Sequence, residues 1–155
     1  MSHVVMSVGI PGIGKTTLLK SLHKEFPDAL YLSSDEMRKN LTGDESNHSV
    51  EGQVWGHMVR LFTEALQRRQ SVFLDACFVK SSYRSQFLNY IRKYNPEAKV
   101  LIIVFPVDEH LARQQSQKRV RKVPSQVISK MYKSFQPPTI DELEGLKGDI
   151  QLYSP

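Results

Sequence analysis

Residues 9–16 read Gly-Ile-Pro-Gly-Ile-Gly-Lys-Thr, an ungapped match to G-x-x-x-x-G-K-[ST]. They follow a β-branched run, His3–Val8. They precede a segment from Lys15 to Glu25 in which Leu18, Leu19, Leu22 and then Phe26 recur at helical spacing. Strand, glycine-rich loop and helix in that order are the context that turns the pattern into a phosphate-binding loop. The glycines let backbone N–H groups turn inward onto phosphate oxygens, and the helix start adds the positive end of its dipole. Gly9, Pro11, Gly12, Ile13 and Gly14 are therefore expected to shape a nucleotide cradle. Lys15 is expected to reach the β and γ phosphates, the Thr16 hydroxyl to ligate Mg²⁺, and Thr17 to meet the α-phosphate.

The rest of the chain alternates short apolar runs with helical periods. Strands are expected over Ala29–Ser33, Ser71–Asp75 and Lys99–Phe105, with a last edge strand over Asp149–Tyr153. Helices are expected over Asp35–Leu41, with Ser34 as cap, over Glu51–Arg69 and over Ser81–Tyr94. Further helices are expected over Asp108–Lys118 and from Pro124 onward, and Thr139-x-x-Glu142 reads as a capping box. This alternation predicts an α/β fold of the P-loop NTPase class: a parallel sheet of four to five strands flanked by helices, with a helical lid near 108–123. With no repeat or linker in view, 1–155 is expected to form one domain. Ligands in such sheets sit at the carboxyl ends of the strands.

Two positions point to an acceptor side. Asp35, in Ser33-Ser34-Asp35-Glu36-Met37-Arg38, follows the second strand and is placed to take the proton of an attacking hydroxyl. The plainer reading is a first-turn carboxylate serving the helix dipole. Arg38, one helical turn on, would grip an anionic group of the acceptor. Asp75 ends the apolar run Val72-Phe73-Leu74-Asp75, as a Mg²⁺-water ligand does in P-loop enzymes; the alternative is a strand-end turn residue. Arg113 and Arg119 flank a Gln-rich segment that could close on the triphosphate. The net charge is +5, and two tracts, 76–96 and 110–140, carry no acid. Such fields suit polyanions, and Arg84 in the first tract is a candidate acceptor ligand. His48, His57 and His110 have no metal-ligand spacing and read as ordinary histidines.

Together these pieces resemble the 5′-kinase domain of bacteriophage polynucleotide kinase and of bacterial RNA-repair enzymes, in the wider group of small P-loop kinases that includes zeta toxins. The likeness is carried by residues 9–17, Ser-Ser-Asp-Glu-Met-Arg at 33–38, Thr-Gly-Asp-Glu at 42–45, Val-Phe-Leu-Asp-Ala at 72–76 and Lys-Val-Pro-Ser-Gln-Val-Ile-Ser-Lys-Met-Tyr-Lys-Ser-Phe at 122–135. The resemblance implies an ATP-dependent, Mg²⁺-dependent kinase of nucleic-acid 5′-hydroxyl ends. Asp35 would be its general base, Arg38 would bind the acceptor's neighbouring phosphate, and Arg113 would be a lid arginine. Two departures stand out. The Asn that usually follows the third-strand Asp is missing from Asp75-Ala76-Cys77-Phe78, and the lid position four residues after Arg113 is Gln117. The second lid arginine is thus Arg119, Arg121, or absent. A small-molecule or tRNA-linked hydroxyl is the alternative acceptor, and DNA is not separated from RNA.

One cysteine, Cys77, no signal-like N-terminus and no apolar run near the length of a membrane span point to a cytoplasmic protein without membrane association. A GTPase switch would carry Asn-Lys-x-Asp, which this chain lacks. An assembly ATPase would carry paired acids where this chain has Asp75-Ala76.

Overall fold

The structure is a computed structural model that describes residues 1–106, 108, 110, 114 and 125–153. Five strands, β1 (His3–Val8), β2 (Leu30–Ser33), β3 (Val72–Asp75), β4 (Lys99–Val104) and β5 (Lys147–Leu152), form one sheet in the order β2-β3-β1-β4-β5. Every neighbouring pair is parallel. The helices are α1 (Lys15–His23), α2 (Ser34–Thr42), α3 (Glu51–Gln67), α4 (Ser81–Tyr94) and α5 (Ser125–Ser134), with 3₁₀ turns at His48–Val50 and Ile140–Leu143. The five-stranded sheet and its flanking helices are the P-loop fold that the alternation predicted. Most of the helix expected over Asp108–Lys118, the lid, Pro124, Arg113, Arg119 and Arg121 lie outside the described residues.

Strand periodicity divides the core in two. Val4, Met6, Val72, Leu74, Val100 and Ile102 face the sheet side covered by Val54, Met58, Phe62 and Leu66 of α3 and by Phe87 and Ile91 of α4. Val5, Phe73 and Ile103 face the other side, where Leu19 of α1 and Ile128 of α5 cover them. Val54, Met58, Phe62 and Leu66 recur at helical spacing, and α3 buries that stripe, with Trp55 and Val59 partly buried along its edge. Phe26 falls beyond the end of α1 and stays half exposed, with its ring against Phe73 at 6.4 Å. The cap of α2 is Ser33 rather than Ser34: the Ser33 hydroxyl accepts the Glu36 N–H at 3.2 Å, because the helix begins one residue earlier than its apolar pattern.

Arg84 is 0% exposed, and its surroundings are structural. Its Nε donates to Glu142 Oε1 at 2.9 Å and its Nη1 to the Phe78 carbonyl at 2.7 Å. The same Glu142 accepts the Thr139 N–H at 2.7 Å, which closes the expected capping box. Arg92 donates to the carbonyls of Glu142 and Glu144. Two of the four cations in the 76–96 tract are therefore engaged in tying α4 to the turn before β5. Glu142→Ala would leave the Arg84 charge buried without its partner. It is expected to lower unfolding free energy by about 3–5 kcal/mol, measured by urea denaturation.

Candidate active site

The loop after β1 is shaped by close approach and by left-handed backbone. A Cβ on Gly9 would stand 3.0 Å from the Phe105 Cβ and 3.2 Å from Ile13 Cγ2, closer than side chains ordinarily pack, so any larger residue would push those neighbours aside. Gly14, at φ 97°, turns the chain into α1 through a conformation that a side chain resists. Lys15 is 7% exposed, and its Nζ donates to the Ile10 carbonyl at 2.9 Å, curling the ammonium into the loop it serves. Thr17 lies exposed in the first turn of α1.

β3 lies beside β1, so its end meets this loop. The Gly9 N–H donates to the Cys77 carbonyl at 3.0 Å, and the Ser7 hydroxyl to the Ala76 carbonyl at 2.9 Å. Asp75, buried, accepts the Thr16 hydroxyl on Oδ2 at 2.7 Å. The two residues expected to serve a cation thus touch. Among the described residues no group of three His, Cys, Asp or Glu side chains could hold a metal ion. One hydroxyl and one carboxylate suit Mg²⁺, which keeps waters and takes phosphate oxygens as its other ligands.

Asp75 Oδ2 also accepts the Tyr31 hydroxyl at 2.6 Å. Tyr31 was not among the candidates from sequence. The strand register brings them together: Ser33 pairs with Asp75 and Tyr31 with Phe73, so Tyr31 and Asp75 share a sheet face. Burial, and then the Asp75 charge, push the Tyr31 phenol far above its usual range, so it remains a donor. Burial also pushes the Cys77 thiol up, against the pull of Lys15.

Across a cleft of about 450 Å³, Asp35 and Arg38 of α2 form the second wall. Arg38 Nη1 donates to Asp35 Oδ1 at 2.7 Å and to the Glu45 carbonyl at 3.2 Å. Its Nε and Nη2 grip both oxygens of Glu51, at 2.5 and 3.1 Å. Burial opposes charge on Arg38, but its hydrogen bonds to Glu51 and Asp35 more than offset this and hold it protonated. Arg38 was expected to face an acceptor phosphate; here two carboxylates occupy its fork. Glu51 was read only as the start of a helix, and His48, read as ordinary, lies 3.2 Å from it and also lines the cleft. Trp55 from α3, Phe78 from the loop after β3 and Tyr83 from α4 add an aromatic face, with the Trp55 ring 5.6 Å from Phe78 and 5.9 Å from Tyr83. Arg84 does not reach the cleft, because its guanidinium is enclosed by Glu142 and Phe78. Arg113 and Arg119 lie outside the described residues.

Glu51→Ala would leave buried Arg38 with one carboxylate in place of two. The expected loss is about 1–3 kcal/mol of unfolding free energy, read from the denaturant midpoint at constant slope.

A family model described as an AAA domain, AAA_33, matches residues 4–138. The L-seryl-tRNA(Sec) kinase of Methanococcus maripaludis is 25% identical over 139 residues, covering 87% of this chain and 53% of the relative; the chain thus spans about half of that protein's length. Among solved structures, Kti12 of Chaetomium thermophilum in complex with ADP-AlF₃ has a TM-score of 0.74 at 12% identity, covering 97% of this chain and 88% of that one. A fungal RNA kinase has a TM-score of 0.67 at 17% identity, covering 99% and 38%. A gluconokinase from Sinorhizobium meliloti 1021 has a TM-score of 0.64 at 13% identity, covering 97% and 82%. At these identities the solved structures share the fold with this chain.

Proposed function

The chain belongs to this AAA domain family, and from that premise we propose that it is a P-loop kinase that moves the γ-phosphoryl group of ATP onto the 5′-hydroxyl of a polynucleotide. The observation that carries the reading is one cleft with two chemically distinct walls. One wall holds Lys15, Thr16 and Asp75; the other holds Asp35, oriented by Arg38. In this reading the acceptor oxygen attacks the γ-phosphorus, Asp35 takes the hydroxyl proton, and the bond to the bridging oxygen breaks to release ADP. Lys15 exchanges the Ile10 carbonyl for phosphate oxygens as the nucleotide enters. Thr16 and Asp75 would hold Mg²⁺, which would supply neutralising charge for the phosphates. Arg38 positions Asp35. Arg113 is proposed as the lid cation, with Arg119 or Arg121 as the candidates for its partner.

A nucleic-acid acceptor is supported by the net charge of +5 and by the aromatic face of Trp55 and Tyr83, on which a base can stack. The tract 76–96 supports it less than its composition implies, since Arg84 and Arg92 are engaged internally. One observation favours a second reading, an uncharged small-molecule or tRNA-linked hydroxyl. Arg38 already faces two carboxylates, so an acceptor phosphate would meet Glu51 there. The similarity to a seryl-tRNA kinase points the same way.

Labelled γ-phosphate transfer from ATP to 5′-hydroxyl DNA and RNA, to their 5′-phosphorylated forms and to seryl-tRNA separates the two readings. Labelling confined to 5′-hydroxyl strands is expected. Asp35→Ala is expected to lower it at least about 10²-fold while nucleotide binding persists. Labelling of seryl-tRNA alone would replace the first reading with the second.

A further inference from the structure

Asp75 Oδ2 receives two hydroxyl donors, Thr16 at 2.7 Å and Tyr31 at 2.6 Å. The first belongs to the phosphate loop. The second plays no part in the transfer described above, yet its side chain is firmly held. The Tyr31 ring stacks on Phe73 at 6.4 Å and 14°, and the His23 ring meets it edge-on at 5.3 Å. Lys20 Nζ lies 5.8 Å from the ring centroid, and Lys20 is paired with Glu36 at 2.8 Å. The phenol is thus clamped on a rigid strand, with its hydroxyl aimed at one oxygen of one carboxylate.

We propose that Tyr31 is a positioning residue for the cation site: its hydroxyl locks the Asp75 carboxylate in the orientation that presents Asp75 and the Thr16 hydroxyl together to the Mg²⁺ of a bound nucleotide. This rests on the reading of Thr16 and Asp75 given above. The terminal torsion of an aspartate is soft, and its two oxygens interchange readily when a single donor holds it. Lys15 lies on the same cleft wall. A carboxylate free to rotate would turn its oxygens away from the Thr16 hydroxyl with which it shares the site. The Tyr31 donor opposes that rotation. A residue that orients a metal ligand in this way sets metal affinity without touching the metal.

Tyr31→Phe removes the hydroxyl and keeps the ring between Phe73 and His23, so the packing survives. Binding of a fluorescent ATP analogue is measured in EDTA and then against rising Mg²⁺, for wild type, Tyr31→Phe and Lys15→Ala. The expected result is unchanged affinity in EDTA for Tyr31→Phe, with the Mg²⁺ concentration for half-maximal tightening raised roughly tenfold. Equal Mg²⁺ dependence in wild type and Tyr31→Phe would overturn the inference while leaving the nucleotide site in place. Affinity lost to the same extent with and without Mg²⁺ would also overturn it, because that pattern marks general damage to the loop. A wild type whose binding ignores Mg²⁺, or survives Lys15→Ala, would overturn the underlying reading of the site and this inference with it.

Discussion

The Gly9 N–H reaches the Cys77 carbonyl at 3.0 Å, and the candidate site depends on that splice between the ends of β1 and β3. In the strand order β2-β3-β1-β4-β5 the chain leaves β1 toward one edge and leaves β3 toward the other. The crevice at such a switch point is where parallel sheets bind ligands. Here it is the place where the phosphate loop meets Asp75. With Ser7 bonded to the Ala76 carbonyl and Arg84 to the Phe78 carbonyl, successive carbonyls after β3 are tied to β1 and α4. Phe78 stands at φ 48°, a conformation an aromatic residue adopts only when its neighbours determine it. Those ties fix the loop that runs from Asp75 to Phe78, the one member of the aromatic face that this loop supplies.

The cations divide by burial. Arg84 and Arg38 are both hidden from solvent, and each is neutralised by carboxylates rather than left open to a ligand. Arg84 serves the fold: its partner Glu142 also caps the turn before β5, so one carboxylate joins α4 to the last strand. Arg38 stands at the cleft, where Glu51 and Asp35 compensate its charge and it in turn fixes Asp35. A buried guanidinium needs such partners, because desolvation without them costs several kcal/mol. A charge tally therefore overstates the field available to a polyanion.

Much of the fold was legible because it is written in local patterns. The β-branched run at His3–Val8, the α3 stripe and the Thr139-x-x-Glu142 box each depend on residues a few positions apart. Boundaries were less legible. Ser33 rather than Ser34 caps α2, and β5 begins at Lys147 rather than Asp149, because hydrogen bonds end an element where side-chain pattern does not. Of the candidate site, the loop 9–16, Asp35 and Asp75 could be read because each sits at a fixed offset from a strand end. Tyr31 and Glu51 could not. Each acts on a partner distant in sequence, Asp75 or Arg38, and looks by itself like an ordinary strand or helix residue.

By itself, the sequence determined that this chain builds a parallel sheet with a phosphate loop after its first strand. Glycine spacing and hydrophobic period are properties of neighbouring residues, and they survive without knowledge of the fold. Only the tertiary structure decided which charges remain available. Arg84 and Arg38 read like any other basic residue in the sequence, yet packing buries both and sets Glu142 beside one and Glu51 and Asp35 beside the other. A basic residue's role is fixed by its desolvation and its partner, and both arise only when distant segments close on one another.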